Sequence, residues 1–275
     1  MDYLDAVILG IVEGLTEFLP VSSTGHLTIV EKWLGLDVAA KDVTGYTAVI
    51  QMGAILAVIV YFAKDIWRIA AAWLRGLFRA EYRGTLDHRM GWYVIVGTIP
   101  IGIVGLAAKD VITDQLRSLW VVAIALIVWS AVMLIAERMG RQTRGEREIG
   151  MRDAIIVGLV QCIALVPGVS RSGATISAGL LRDLDRVTAT RLSFFLSIPA
   201  LLAAGVFELK DATSGSIAAG QLVVGTVVSF IVAYAAVAWL LRFVAHHSIG
   251  KFVPYRVVLG VVVIGLLVTG AMSAT

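Results

Sequence analysis

Asp5-Ala-Val-Ile-Leu-Gly-Ile-Val-Glu13 returns 148 positions later as Asp153-Ala-Ile-Ile-Val-Gly-Leu-Val-Gln161. The register continues without a gap. Val21-Ser22-Ser23-Thr24-Gly25 falls on Val169-Ser170-Arg171-Ser172-Gly173, and 8 of the 21 positions from 5 to 25 are identical. Apolar similarity alone arises by chance in a greasy chain. An Asp, a Gly, a Glu/Gln and a Ser-x-[Ser/Thr]-Gly loop held at one offset read instead as an internal repeat. In each copy the apolar run is interrupted halfway. Pro20-Val-Ser-Ser-Thr-Gly-His26 divides Tyr3–Leu19 from Leu27–Leu36, and Pro167-Gly-Val-Ser-Arg-Ser-Gly173 divides Ile155–Val166 from Ala174–Leu181. Pro, Gly and hydroxyl residues break a helix, so each copy predicts a hairpin rather than one clean span.

Outward from these hairpins the chain is apolar throughout. It has 275 residues, 59% of them hydrophobic and 16% charged, and a mean hydropathy of +0.88. A soluble domain is nearer about 45–50% apolar and about 25% charged. The excess lies in runs almost free of charge: Val43–Ala63, Trp92–Ala108, Ser118–Ala136, Leu192–Val206, Ile217–Leu241 and Val257–Thr269. Roughly 17–25 apolar residues cross a bilayer as a helix, so six spans are expected, the shorter runs completed by flanks such as Thr188–Phe195 and Pro254–Val258. Met1–Asp5 carries two acids and no basic residue, unlike the start of a cleavable signal. A single cysteine, Cys162, excludes an internal disulfide.

The basic residues set an orientation. Of 23 lysines and arginines, 17 fall in the stretches Lys64–Arg89, Arg138–Arg152, Arg182–Arg191 and Arg242–Arg256. Lys32, Lys41, Lys109, Arg117 and Lys210 fall between them, and Arg171 stands apart in the second hairpin. Six spans place the four rich stretches on one side, the cytoplasmic side by the positive-inside rule. Both termini then lie on the other. The organisation expected is a first repeat, 1–137, with a re-entrant hairpin at about 3–36, three spans, and an interfacial amphipathic helix at about 64–83. A basic cytoplasmic linker, 138–152, leads to a second repeat, 153–275, with a hairpin at about 153–182 and three spans. Three spans per unit is odd, so the second unit enters the membrane inverted, as in many transporters. The fold class is thus an all-α polytopic membrane protein, with six spanning helices, two re-entrant helix hairpins and an inverted-topology repeat.

The hairpins also carry the chemistry. Glu13 and Glu17, four apart, share a helix face, where paired carboxylates suit acid–base work or a divalent metal. Ser22, Ser23, Thr24 and His26 bring hydroxyls and an imidazole to a half-helix N-terminus, a favourable place for phosphate. Single hydroxyls there serve equally as helix caps. Arg171 offers a planar fork matched to phosphate, or an ion pair to either glutamate. Gly168, Ser170, Ser172, Gly173 and Thr175 surround it with donors. Gln51 is a lone amide within the first span, suited to the site or to a helix–helix hydrogen bond.

Glu13-Gly-Leu-Thr-Glu17-Phe-Leu-Pro-Val-Ser-Ser-Thr-Gly-His26 and Pro167-Gly-Val-Ser-Arg-Ser-Gly-Ala-Thr175 resemble the two signature motifs of the bacterial undecaprenyl-pyrophosphate phosphatases of the bacitracin-resistance type. The resemblance covers the full length and the spacing between motifs. It implies hydrolysis of a C55 polyprenyl pyrophosphate to the monophosphate and inorganic phosphate, which recycles the carrier lipid of peptidoglycan synthesis. It further implies a divalent cation, Mg or Ca, with Glu13 and Glu17 as its acidic motif. Ser23 and His26 become the hydroxyl/imidazole pair, and Arg171 the phosphate-binding arginine. Glu17, Ser23, His26 and Arg171 are the expected catalytic set. Substrate contacts are expected from Ser22, Thr24, Gln51, Gly168, Ser170, Ser172, Gly173 and Thr175. The nucleophile is Ser23, His26 or water, with Ser23 preferred. The partners expected are the lipid pyrophosphate and membrane lipid, with no nucleic acid; a homodimer is left open. The expected place is the bacterial plasma membrane, active site facing the non-cytoplasmic side. A transporter or flippase for a polyprenyl phosphate or small anion is the alternative, since the repeat alone would suit either.

Overall fold

A computed structural model describes residues 1–38, 40–108, 111, 116, 118–212 and 217–274. Lys109 and Arg117, with the side chains of Lys41 and Lys210, lie outside the described residues. The described chain is helical: α1 Tyr3–Thr16, α2 Ser23–Trp33, α3 Lys41–Tyr61, α4 Ala63–Phe78, α5 Leu86–Ala107, α6 Leu119–Met139, α7 Met151–Gln161, α8 Arg171–Leu181, α9 Arg186–Ala212, α10 Ala219–His246 and α11 Val253–Val268. Six segments are long and apolar enough to cross a membrane: Asp42–Tyr61, Leu86–Ala107, Leu119–Met139, Arg186–Val206, Ala219–His246 and Ile249–Val268. Five match the expected runs closely. The sixth starts at Ile249 instead of Val257, which takes Tyr255 and Arg256 into the helical segment.

The repeated residues make repeated local structure. Asp5 and Asp153 both sit in the first turn of their helices. The Asp5 carboxylate accepts from the Asp2 N–H at 2.8 Å, and that of Asp153 from the Gly150 N–H at 2.9 Å. The bounds of α8 are those of α2 moved by 148 residues. Each of these two helices is capped by a serine with positive φ, Ser22 at 78° and Ser170 at 75°. That backbone costs a non-glycine residue roughly 1–2 kcal/mol. Both serines offset it by accepting a helix N–H, from Gly25 and Gly173 respectively.

Glycines let the short helices approach long ones. A Cβ on Gly10 would stand 2.6 Å from the Gly225 carbonyl oxygen, and one on Gly14 2.5 Å from that of Ser229, so α1 lies backbone to backbone on α10. On the other side α7 meets α5 as closely, Gly158 facing the carbonyl of Gly97. Between them α8 is enclosed, with every residue from Ser172 to Leu180 buried. It packs on α6, α7 and α9.

The basic end is tied together by ion pairs. Buried Asp153 takes Arg144 at 2.6 Å and Arg182 at 2.9 Å, while Arg186 pairs with Glu137 and Arg191 reaches Asp65 at 3.1 Å. Burial alone pushes the Asp153 carboxyl up. Arg144, the Gly150 N–H and Arg182 outweigh it and hold the group below the usual carboxylate range. Within the stretch expected as the interfacial helix, α4 is followed by one 3-10 turn at Ala80–Tyr82. Trp73 of α4 stacks edge-on against Trp92 of α5, while Trp67, Leu74 and Phe78 are exposed.

Candidate active site

Glu13 and Glu17 close the last turn of α1, linked by the Glu17 N–H to Glu13 carbonyl bond at 2.9 Å. They share a face but not a role. The Glu17 carboxylate accepts from the Ser23 hydroxyl at 2.5 Å through one oxygen and from the Arg171 guanidinium through the other. Glu17 thereby joins the two helix-breaking loops. Glu13 has no exposed surface, and neither of its carboxylate oxygens has a hydrogen-bond partner. It borders a cavity of about 200 Å³, together with Ser23, Thr24, Gln51 and Pro167.

The other loop residues hold the two loops in place. Ser22 Oγ accepts from the Gly168 N–H at 3.2 Å, and Ser172 and Ser170 donate to the Leu19 carbonyl at 2.9 and 3.4 Å. Gly168 has φ of +98°, and a Cβ there would meet the Val122 carbonyl oxygen at 2.4 Å. Thr175, buried beneath Arg171, donates to the Arg171 carbonyl at 2.8 Å and shares a 2.6 Å contact with Ser193. Ser22, Gly168, Ser170, Ser172, Gly173 and Thr175, expected around the substrate, are here engaged in building the loops.

His26 lies in the first turn of α2, buried. Its Nδ1 is 2.7 Å from the Ser22 carbonyl, which can only accept, so Nδ1 carries a proton. In the neutral ring Nε2 then accepts from the Tyr255 hydroxyl at 2.6 Å. The ring stacks on Tyr255 as well, at 5.5 Å between centroids. Both nitrogens are engaged, and the base within reach of Ser23 is Glu17.

Three residues of consequence stand outside the expected set. Arg256, grouped by sequence with the basic loop residues, is fully buried in α11. Its guanidinium donates to the carbonyls of Pro20 at 3.0 Å, Gly168 at 3.0 Å and Val169 at 3.1 Å, and to Ser130 Oγ at 3.1 Å. It clamps both loop tips through neutral acceptors. Its position within Pro254–Val258, already an apolar extension of the last span, is the signal that sequence offers. Tyr255 is its neighbour. Glu31, buried in α2, lines the same cavity as Glu13. The series Thr24, Thr28, Glu31 is the helical spacing that marks it.

The divalent cation implied by resemblance would take Glu13 as its carboxylate donor. Glu13 presents two unsatisfied carboxylate oxygens at a cavity wall, which a hard cation would satisfy. Among the described residues no three His, Cys, Asp or Glu side chains converge to hold a metal alone. Water and phosphate oxygens would complete the shell, as is usual for Mg²⁺.

An all-helical membrane protein with carboxylate, hydroxyl and guanidinium groups brought together by two helix-breaking loops is the class that these observations define. The chain belongs to the family described as Bacitracin resistance protein BacA, whose model matches residues 6–262. It is 57% identical over the full length of both chains to the undecaprenyl-diphosphatase of Acidothermus cellulolyticus. It is 59% identical to undecaprenyl-diphosphatase 1 of Streptomyces coelicolor, over 98% of this chain and 97% of that one. The undecaprenyl-diphosphatase of a Mycobacterium species is 55% identical over the full length of both.

Proposed function

We propose that this protein is an integral membrane phosphatase that hydrolyses undecaprenyl pyrophosphate to the monophosphate and inorganic phosphate. The observation that carries the reading is the Ser23–Glu17–Arg171 contact, a hydroxyl, a base and a phosphate-matching cation joined across the two loops. Ser23 Oγ attacks the terminal phosphorus as Glu17 takes its proton. The anhydride bond breaks and the lipid leaves as its monophosphate. Glu17 passes that proton to the departing lipid phosphate, and the freed carboxylate deprotonates a water that cleaves the phosphoserine, which releases orthophosphate and restores the Ser23 hydroxyl. Arg171 turns its fork from Glu17 to the transferring phosphoryl oxygens, where charge develops. A divalent cation at Glu13, beside Glu17, would neutralise further phosphate charge.

The two hairpins are read as re-entrant. At 1.5 Å per residue α1 is about 21 Å long and α2 about 16 Å, short of the roughly 30 Å hydrocarbon core. Broken backbone at that depth is tolerated where protein covers it, as α6 and α11 do here. The shared offset of α2 and α8, with three spans after each, supports an inverted repeat. The arginine-rich end carrying Arg144, Arg182 and Arg186 is assigned to the cytoplasm. The cavity beside α2 then opens to the opposite face of a bacterial plasma membrane.

Phosphate release from a polyprenyl pyrophosphate by detergent-purified protein tests the function. Release by the wild type and none by Ser23→Ala is expected. Lipid movement across vesicles without release would favour a flippase instead.

A further inference from the structure

α4 follows α3 after a single residue, Phe62, and lies outside the six spanning segments. At 3.6 residues per turn its side chains sort into three stripes. Ile66, Ile69 and Trp73 face inward, and with Val94 of α5 and Phe195 and Ile198 of α9 they line an apolar trough of about 220 Å³. Trp67, Leu74 and Phe78, at i, i+7 and i+11, face outward, Trp67 with 76% and Phe78 with 81% of its surface exposed. Lys64, Arg68, Arg75 and the cap residue Arg79, at i, i+4, i+11 and i+15, form a third stripe beside the second, and all four are exposed.

The basic stripe keeps an excess of charge. Between positions 63 and 89 six basic residues stand against three acids. Arg68 bridges Asp65 and Asp87 at 3.1 Å each, Arg79 lies 3.8 Å from Glu81 in an exposed pair, and Arg75 sits over the Tyr82 ring at 5.7 Å. A helix with an apolar and a cationic stripe side by side is suited to the membrane interface. Lysines and arginines clustered on such a helix attract anionic headgroups. A second copy of this chain fits the surface poorly. Related by an axis along the membrane normal, two copies in contact through Trp67, Leu74 and Phe78 would set their arginine stripes side by side, like charge against like. The trough is no seat for the tail of a substrate at Ser23. Rings fill the way from it to the neighbour of Glu17: Phe195 packs on Phe62, Phe62 on Phe194 and Phe194 on Phe18.

We propose that α4 is a docking surface for anionic phospholipids, with their phosphates along the Lys64–Arg79 stripe. Their acyl chains lie around Trp67, Leu74 and Phe78 and in the trough below. The surface stands apart from the reaction loops, and its test needs no phosphate release, so failure of the phosphatase reading would leave it untouched. Full-length protein in neutral detergent is offered dioleoyl phosphatidylglycerol and dioleoyl phosphatidylcholine in equal amounts, and the lipids retained are counted by native mass spectrometry. The wild type is expected to retain phosphatidylglycerol over phosphatidylcholine. Each basic residue at an anionic lipid surface is worth about fivefold in binding. Lys64→Gln with Arg75→Gln and Arg79→Gln is therefore expected to weaken phosphatidylglycerol retention by about fivefold for each charge removed, at an unchanged melting temperature. Lys64→Gln alone carries the test should the triple variant not fold. Wild-type preference in the folded variant, or equal retention of the two lipids by the wild type, overturns the docking surface. So does a lipid-free dimer that Trp67→Gln dissolves, since the apolar stripe would then be an interface between copies.

Discussion

Glu17 spans two hydrogen bonds that substitution can separate. Ser23→Ala removes the proposed nucleophile and should abolish phosphate release while lipid pyrophosphate binding persists. Glu17→Gln keeps the shape but no longer accepts a proton, so the rate should fall and one limb of the pH–rate profile should flatten. Arg171→Lys keeps the charge and loses the planar fork. A preorganised donor of this kind is worth about 2.7–4 kcal/mol, which predicts a loss in kcat of about 10²-fold or more. Near-normal turnover in Ser23→Ala would hand the attack to water or His26. These residues are legible in the amino-acid sequence, because a charge or hydroxyl in an apolar loop stands out against its background. Glu31 is fainter, marked only by its helical spacing from Thr24 and Thr28, since one acid near the end of a short helix otherwise looks like an ordinary surface residue. The engagement of Ser170 and Ser172 with the Leu19 carbonyl is not legible, because a backbone acceptor 151 and 153 positions away leaves no mark in sequence.

Among the elements, α1 owes the position of both glutamates to its contact with α10. Gly14→Val would drive a side chain into the Ser229 carbonyl and lift α1 away. The expected result is a destabilisation of about 1–3 kcal/mol with loss of phosphate release, read by detergent melting and by assay. Gly102, which meets nothing within 4 Å, should tolerate the same change. At the other end of the chain α11 contributes Arg256. Arg256→Lys keeps the charge without reaching all of these carbonyls, and a hydrogen bond to a charged group is worth about 1.5–3 kcal/mol. Lower melting temperature and lower turnover together are expected; loss of neither would mean that the loops hold each other without the clamp. The six spans are readable because hydropathy accumulates along a chain. The start of the sixth is not, because an arginine that is satisfied by backbone carbonyls looks in sequence like one in water.

At the scale of the whole molecule, the ion pairs at the basic end fasten the linker to the second hairpin. Asp153 is held below its unfolded value, so its contribution is complete above about pH 4 and fades as pH drops through the folded pKa. Wild-type melting temperature should therefore fall in acid. Asp153→Asn should start lower, by about 1.5–3 kcal/mol, and respond less over the same range. Orientation is tested by a cysteine at Thr24 in a chain with Cys162 replaced. Labelling from the non-cytoplasmic side is expected, and labelling from the cytoplasmic side alone would reverse the assignment. The 148-residue offset announces the matching bounds and serine caps of α2 and α8 from sequence, since helix caps and breakers are local. What it leaves out is that the halves are joined at their tips.

That junction bears on how the protein comes into being. Ribosomes deliver residues in order, and the first loop is made long before the second. Arg256 follows both, so neither loop meets its clamp until α11 has emerged and entered the bilayer. A chain stalled before that helix carries Glu17, Ser23 and Arg171 yet lacks the part that seats them. Such an unfinished chain is expected to release no phosphate from lipid pyrophosphates, which assay of a chain ending before Val253 would check.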